Sequence, residues 1–504
     1  MSENGISGLK KIVLYGAGKR CHELCDVLKE SDVQVAFIAD SNPDKWGEEM
    51  CGIPVASPEK LKKDRYPFCI TMQDSLAKQQ VRERLYTEYG YGSDLEIPYF
   101  ELLIKAFCFQ KRIRKCAEDS IIQEIGERKV VFACNRGFTL GGIEEWVKEI
   151  TMALIKAGYS QVSVLADNGK YDVPSCLMGH VERVSIDHNY KFSKNNIYKL
   201  VDCLLHYLPC VVVTSKIDEI MLASVILKKF YPDKVRIVAG IHSGEEGTLQ
   251  QYFDIRKYID LYVGVSRDIV DGMETRGIAR EKIRYMTCPV KCEDGLRRSY
   301  TVNRLEAIKI GYAGRVEKEQ KRMDLLIELL EELTARHVNY KCVIAGSGSF
   351  EDKIANYIEQ NNLQEKVELV GYIERKAIPD FWTGLDICIN LADYEGRSIS
   401  VMEAMANGAV PIVTNTSGVH DDIKEGENGY IYNLGDYRGM AGAIEYLEKN
   451  RNLLGKMGKK AYEAILAKSG MEKHIQLWEE ILEFEVEKKS LSESKSLKSH
   501  SEEG

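Results

Sequence analysis

Short apolar runs alternate with stretches of helical spacing along most of the chain, the order of strand and helix that builds a parallel α/β sheet. Near the start, Lys11 to Tyr15 reads as a strand, His22 to Lys29 as a helix and Val33 to Ala39 as a second strand. Phe68 to Met72 and Gln73 to Tyr89 add one more strand and helix. The alternation resumes with strands expected at Val130 to Cys134, Gln161 to Ala166, Val211 to Thr214, Val235 to Ile241 and Leu261 to Val265. A further series has strands at Ile308 to Tyr312, Lys341 to Ala345, Val367 to Val370, Ile387 to Asn390 and Val410 to Thr414. Helices at Met440 to Lys449, Arg451 to Ala467 and Met471 to Lys488 follow.

The breaks in this pattern set the expected organisation: an α/β unit over residues 1–95, a helical linker over 96–128, a second α/β domain over 129–300 and a third over 301–460. Closing helices over 461–488 and a Ser-, Lys- and Glu-rich tail over 489–504, expected to be disordered, complete the chain. In the linker, Leu102, Leu103, Ala106, Phe107 and Ile113 recur at helical spacing among Lys105, Lys111, Arg112, Arg114 and Lys115. Such a helix either packs one domain onto the next or lies on an anionic membrane surface, and packing is the commoner outcome.

Composition narrows the class. At 504 residues with 44% hydrophobic content the chain has ample material for several cores. A net charge of −8 and a pI near 5.8 give no global footprint for nucleic acid. There is no leader of signal-peptide type and no apolar run of about 18 residues, so a cytoplasmic protein is expected, with peripheral contact at the inner face of a membrane and a homodimer left open. The fourteen cysteines are scattered among apolar neighbours without a C-x-x-C pair, and Cys21/Cys25 and Cys288/Cys292 have no second cluster to finish a zinc site. They read as reduced, buried thiols, and no metal is expected.

Candidate chemistry sits where strands give way to glycine turns. Gly16-Ala17-Gly18 between the first strand and helix, with Asp40 closing the second strand, follows the order of a dinucleotide fold. Cys21 departs from it, standing where a third Gly or Ala is usual. Half such a unit can bind a mononucleotide or sugar nucleotide, or only dimerise; no machinery for hydride transfer accompanies it. Gly141-Gly142 opens a helix, and His242 falls just past a strand's carboxyl end. In the third domain Asp393 to Gly396 forms a loop, a helix starts near Ser398 to Ser400, and Gly408 can end it. Free amides at such a helix start favour an anion. Ser400 and Glu403 also make an S-x-x-E capping box, a purely structural use of both residues.

Taken together, Gly141-Gly142-x-Glu144, His242, Gly314-Arg315-x5-Lys321, Gly346-x-Gly348, Gly371-Tyr372-Ile373 and Glu395-x7-Glu403 resemble the retaining glycosyltransferases of the GT-B fold, family 4, over roughly residues 129–488. The first unit, with its Asp40 to Pro43 run, resembles Rossmann-like domains appended to sugar-modifying enzymes. The resemblance implies two Rossmann-like domains facing a cleft, an extra N-terminal one, and metal-independent transfer of a sugar from a nucleoside diphosphate sugar to a saccharide or lipid-linked acceptor. It also implies a setting in capsule, exopolysaccharide or glycolipid assembly. It assigns Arg315 and Lys321 to the diphosphate, Glu395 and His242 to the donor sugar, and Glu403 to the ribose. Tyr372 and Ile373 fall to the base, and Gly142, Gly314, Gly346, Gly348 and the Ser398-Ile399-Ser400-Val401 turn to the donor. Arg397 and Ser398 depart from the family's usual aromatic residue and proline. No cofactor is implied, though a nucleotide at Gly16, Gly18 and Asp40 stays open. The alternative is a sugar-nucleotide-binding scaffold with an idle cleft; an oxidoreductase built on Gly16 to Asp40 is the third reading.

Overall fold

The computed structural model describes residues 9–72, 75–119, 129–134, 137–138, 141–159, 161–167, 172–187, 192–468 and 470–482. The expected disordered tail, 489–504, lies outside the described residues. By packing, the chain divides into two compact units, one of residues 1–147, 158–240 and 250–262, the other of 148–157, 241–249 and 263–504. Among the described residues the strands form three sheets.

The first sheet contains β1 (Lys11–Tyr15), β2 (Gln34–Ala39), β3 (Glu49–Met50), β4 (Ile53–Ala56) and β5 (Phe68–Ile70), in the order β3-β4-β2-β1-β5. All neighbours are parallel except the short β3-β4 pair, which is antiparallel. The sequence pattern did not announce β3 and β4: they are too short, and Pro54 interrupts the apolar run. The central strands are buried because Val13, Tyr15, Phe37, Ala39 and Ile70 pack into one core with Leu61, Phe68 and Leu85.

The linker contains helices Tyr99–Phe109 and Lys111–Asp119. Leu102, Leu103, Ile104, Ala106 and Phe107 are fully buried, with helix Tyr99–Phe109 packed against helices Lys19–Leu28 and Glu219–Phe230. The buried Glu101 accepts a 3.0 Å hydrogen bond from Tyr258 and pairs with Lys257 at 3.0 Å. The apolar face of this helix is therefore spent on protein packing, the first of the two outcomes expected for it.

The second sheet contains β6 (Lys129–Cys134), β7 (Val162–Asp167), β8 (Val181–Val184), β9 (Cys210–Thr214), β10 (Val235–Ile241), β11 (Leu261–Gly264) and β12 (Ile283–Tyr285), in the order β12-β11-β10-β9-β6-β7-β8. Helix Gly142–Lys156 follows β6. β9 and β10 are buried along their whole length, as expected of parallel strands covered on both faces.

The third sheet contains β13 (Ile308–Ala313), β14 (Tyr340–Ala345), β15 (Val367–Gly371), β16 (Ile387–Asn390), β17 (Val410–Thr414) and β18 (Tyr430–Tyr432), all parallel in the order β15-β14-β13-β16-β17-β18. The order turns back at β13, the first strand in sequence and a central one in space, so the loops after β13 and β16 leave one edge side by side. That is the switch point at which open α/β sheets hold ligands. Helices Met323–Ala335, Glu351–Gln360, Tyr437–Lys449 and Asn452–Leu466 contribute Leu326, Leu330, Ile354, Ile444 and Leu454 to its core.

Candidate active site

The loops after β13, β14 and β15 are stitched together by backbone hydrogen bonds. Gly314 N–H donates to Ala345 O at 3.0 Å, Val316 N–H to Ser347 O at 3.0 Å and Gly346 N–H to Gly371 O at 2.7 Å. Gly346 has φ +129°, and a Cβ there would collide with the Gly314 carbonyl; one at Gly348 would collide with that of Val316. These glycines are thus required by the close approach of protein backbone. Tyr372, beyond β15, is 55% exposed, and Ile373 beside it is half-buried.

A second seam joins the loop after β13 to the loop after β16. Asp393 N–H donates to Gln320 O at 3.0 Å, and the Gln320 side chain donates to Tyr394 O at 2.9 Å. Lys321 pairs with Glu395, both side chains being largely buried. Arg322 holds both oxygens of Asp393 at 3.0 Å. Arg315 lies at the open side, 47% exposed, and donates to Glu317 at 2.5 Å and to Gln320. The Tyr312 hydroxyl donates to Arg315 O at 2.7 Å; burial first, then the charge of Glu395, raise its pKa well above the usual phenol range. Arg322 and Asp393 carry no sequence signal, because Arg322 reads as one more charge before a helix and its left-handed backbone, φ 52°, shows only in three dimensions.

The helix after this loop is Ile399–Ala406, with Ser398 as its N-cap. Here the structure corrects the sequence reading: Ser400 lies inside the helix, so Ser400 and Glu403 make no capping box. Ser398 makes no side-chain capping bond either; its Oγ accepts from Asn390 Nδ2 at 3.0 Å. Among the described residues, therefore, no side-chain cap covers the first-turn amides. Gly408 ends the helix as expected, its N–H bonding to Met405 O at 2.8 Å. Glu403 points to Arg375, at 3.0 Å, on the wall of a cavity of about 580 Å³ that Ile378, Asn407 and Pro289 also line.

His242 follows β10 and belongs to the same unit as these loops. Its backbone lies directly against Gly396, where a Cβ would collide with the His242 carbonyl. The structure thus brings together Arg315, Lys321, Glu395, the Ser398 to Val401 turn and the backbone of His242, while Glu403 lies toward the cavity with Arg375. Gly142 is the exposed first residue of helix Gly142–Lys156 and belongs to the other unit. Of the first sheet's candidates, Asp40 is buried. Its oxygens accept from Ala17 N–H at 2.6 Å, Asn42 N–H at 2.8 Å and Lys45 at 3.1 Å, which ties the Gly16 to Gly18 turn to the end of β2. Among the described residues no group of three or more His, Cys, Asp or Glu side chains is placed to hold a metal, and no helix is long and apolar enough to cross a membrane.

Comparison with known proteins bears on the same loops. The glycosyl transferases group 1 family model matches residues 298–464, and the C2185-like, N-terminal model matches residues 8–94. A poly(ribitol-phosphate) alpha-N-acetylglucosaminyltransferase of Staphylococcus aureus (strain COL) is 34% identical over 161 residues, which is 31% of this chain and 32% of that protein. An N-acetyl-alpha-D-glucosaminyl L-malate synthase of Bacillus anthracis is 24% identical over 186 residues, 37% of this chain and 48% of that protein. The chain thus spans about a third to a half of the length of these relatives. Among solved structures, Anabaena Alr3699/HepE in complex with UDP and glucose superposes with a TM-score of 0.57 at 14% identity, over 71% of this chain and 99% of that one. The chain has the fold of the GT-B glycosyltransferases, and its residues 298–464 match the glycosyl transferases group 1 family.

Proposed function

We propose that this chain is a retaining, metal-independent glycosyltransferase of family 4, moving a sugar from a nucleoside diphosphate sugar to a saccharide or lipid-linked acceptor in the assembly of a surface polysaccharide or glycolipid. The observation that carries the proposal is the seam between the Gly314 to Arg322 and Asp393 to Val401 loops. It gathers Arg315, the Lys321–Glu395 pair and a helix start that no side chain caps among the described residues at the switch point of the third sheet.

The chemistry follows from charge. Breaking the bond between sugar and diphosphate leaves the negative charge on the phosphate oxygens and builds positive charge on the sugar ring. Arg315, Lys321 and the amides of Ile399 to Val401 would receive the first, each charge-assisted hydrogen bond contributing about 1.5 to 3 kcal/mol. Glu395, held by Lys321, would accept from hydroxyls of the departing sugar, and Glu403 from those of the ribose. In a same-face displacement the leaving phosphate would itself take the acceptor's proton, so no separate base is needed. Relatives named for transfer of N-acetylglucosamine and neighbours holding UDP support a nucleotide-sugar donor.

The test is a panel of nucleotide sugars scored by nucleoside diphosphate release, with and without membrane lipid extract and with and without EDTA. Release that depends on one donor and survives EDTA is expected, and stereochemistry at the transferred carbon reads out retention. No release from any donor would overturn the reading.

A further inference from the structure

Arg397, between Glu395 and the start of helix Ile399–Ala406, is buried with only 1% of its side chain exposed. Its Nε and Nη2 grip Asp422 at 3.0 and 2.5 Å, and Nη1 donates to the Tyr285 hydroxyl at 2.6 Å, to Val265 O at 3.2 Å and to Asp421 at 3.3 Å. The partners are themselves tied down. Tyr285 donates to Asp421 at 3.3 Å, the Arg267 N–H donates to Asp421 at 3.0 Å, and Lys468 lies 3.6 Å from Asp422. Every group in the cluster lies in the second unit.

A buried guanidinium costs several kcal/mol of lost hydration unless every donor is matched, and such a cluster has a well-defined geometry because partial matching is so unfavourable. Arg397 makes a two-pronged grip on one carboxylate, which fixes the plane of the guanidinium as well as its place. The neighbouring residues have contacts on other sides: Glu395 pairs with Lys321, Ser398 accepts from Asn390, and Gly396 packs closely against the backbone of His242. The turn that presents Glu395 and the amides of Ile399 to Val401 is therefore bonded at Glu395, Arg397 and Ser398, and the anchor at 397 is the most buried.

We propose that Arg397 is a positioning residue that locks the Glu395 to Val401 turn in the conformation that receives the donor's diphosphate. This rests on the function proposed above. It touches no substrate; it acts by removing the freedom of the turn, so that the donor does not bear the entropic cost of ordering it.

The test uses the full chain with Arg397→Met and, in case that variant fails to fold, Tyr285→Phe, which keeps the ring and deletes one hydroxyl. Amide hydrogen exchange at Asp393 and Met402, whose N–H groups donate to Gln320 O and Ser398 O at the two ends of the turn, is expected to quicken about tenfold in Arg397→Met and about threefold in Tyr285→Phe, with β13 unchanged, as for local opening of a segment that has lost charged hydrogen bonds. UDP, as the diphosphate probe, is expected to bind about tenfold more weakly to Arg397→Met, while uridine, which lacks the diphosphate, keeps its affinity within about twofold. A merely structural role would weaken both equally or neither. Unchanged exchange at Asp393 and Met402 in the folded variants, or equal losses for UDP and uridine, would overturn the proposal. A wild-type chain that binds none of UDP, GDP and ADP, with the exchange result as expected, would refute the function and leave the anchor standing.

Discussion

Lys321 and Glu395, 74 residues apart in the chain, form an ion pair with side chains only 14% and 11% exposed. Each is the other's compensation for burial. Removing either leaves an uncompensated charge beside the proposed diphosphate site, so the two single variants should resemble each other more than their chemistry suggests.

Lys321→Ala and Glu395→Gln are each expected to lower turnover about 100-fold or more, equivalent to about 2.7 kcal/mol. The double variant should cost much less than the sum of the two, because the ion pair is shared. Steady-state kinetics with the donor found in the panel would measure this double-mutant cycle; full additivity would show that the two act independently.

Gly396→Ala places a methyl group against the His242 carbonyl. Backbone has little room to yield there, and a loss of about 1 to 3 kcal/mol is expected. Urea unfolding would measure it, and Gly18→Ala, where nothing lies within 4 Å of the added carbon, is the control and should change stability by under about 1 kcal/mol.

Ser400→Ala separates the two uses of the S-x-x-E run. Were Ser400 a cap, the change would cost about 1 kcal/mol. Because it lies inside helix Ile399–Ala406, it should cost under about 0.5 kcal/mol in thermal or urea unfolding.

His474 is 2% exposed, and its ring nitrogens have no hydrogen-bond partner among the described residues. Burial, with the charge of Arg397 adding to it, pushes its pKa down to about 4. The unfolded chain takes up this proton near pH 6.5 and the folded one only near pH 4. Stability is therefore whole above 6.5 and falls by about 3 kcal/mol as the pH drops through that window. Urea midpoints at pH 7.5 and 5.0 should separate more widely in the wild type than in His474→Leu.

Much of the fold was legible because parallel strands covered on both faces must be apolar throughout. β9 and β10 show themselves as Val- and Ile-rich runs, and the helices beside them by their spacing. β3 and β4 did not, being two and four residues long. Among the site residues, the glycine turns stood out because backbone crowding leaves a mark on the sequence, and Glu395 through its place in the Glu395-x7-Glu403 pattern. Arg322 did not, and Asp393 and Arg397 were noticed without their partners, since a charged residue in a loop looks the same whether it faces water or a buried partner 25 to 132 residues away.

The sequence alone determined the alternation of strand and helix, the places where strands end in glycine, and the order in which the candidate residues occur, because each depends on neighbours a few positions apart. Which charge faces which was decided only by the tertiary structure. Lys321 meets Glu395, Glu403 turns to Arg375 and not to a cap at Ser400, and Arg397 is buried between Asp421, Asp422 and Tyr285, because the sheet order sets loops distant in sequence side by side.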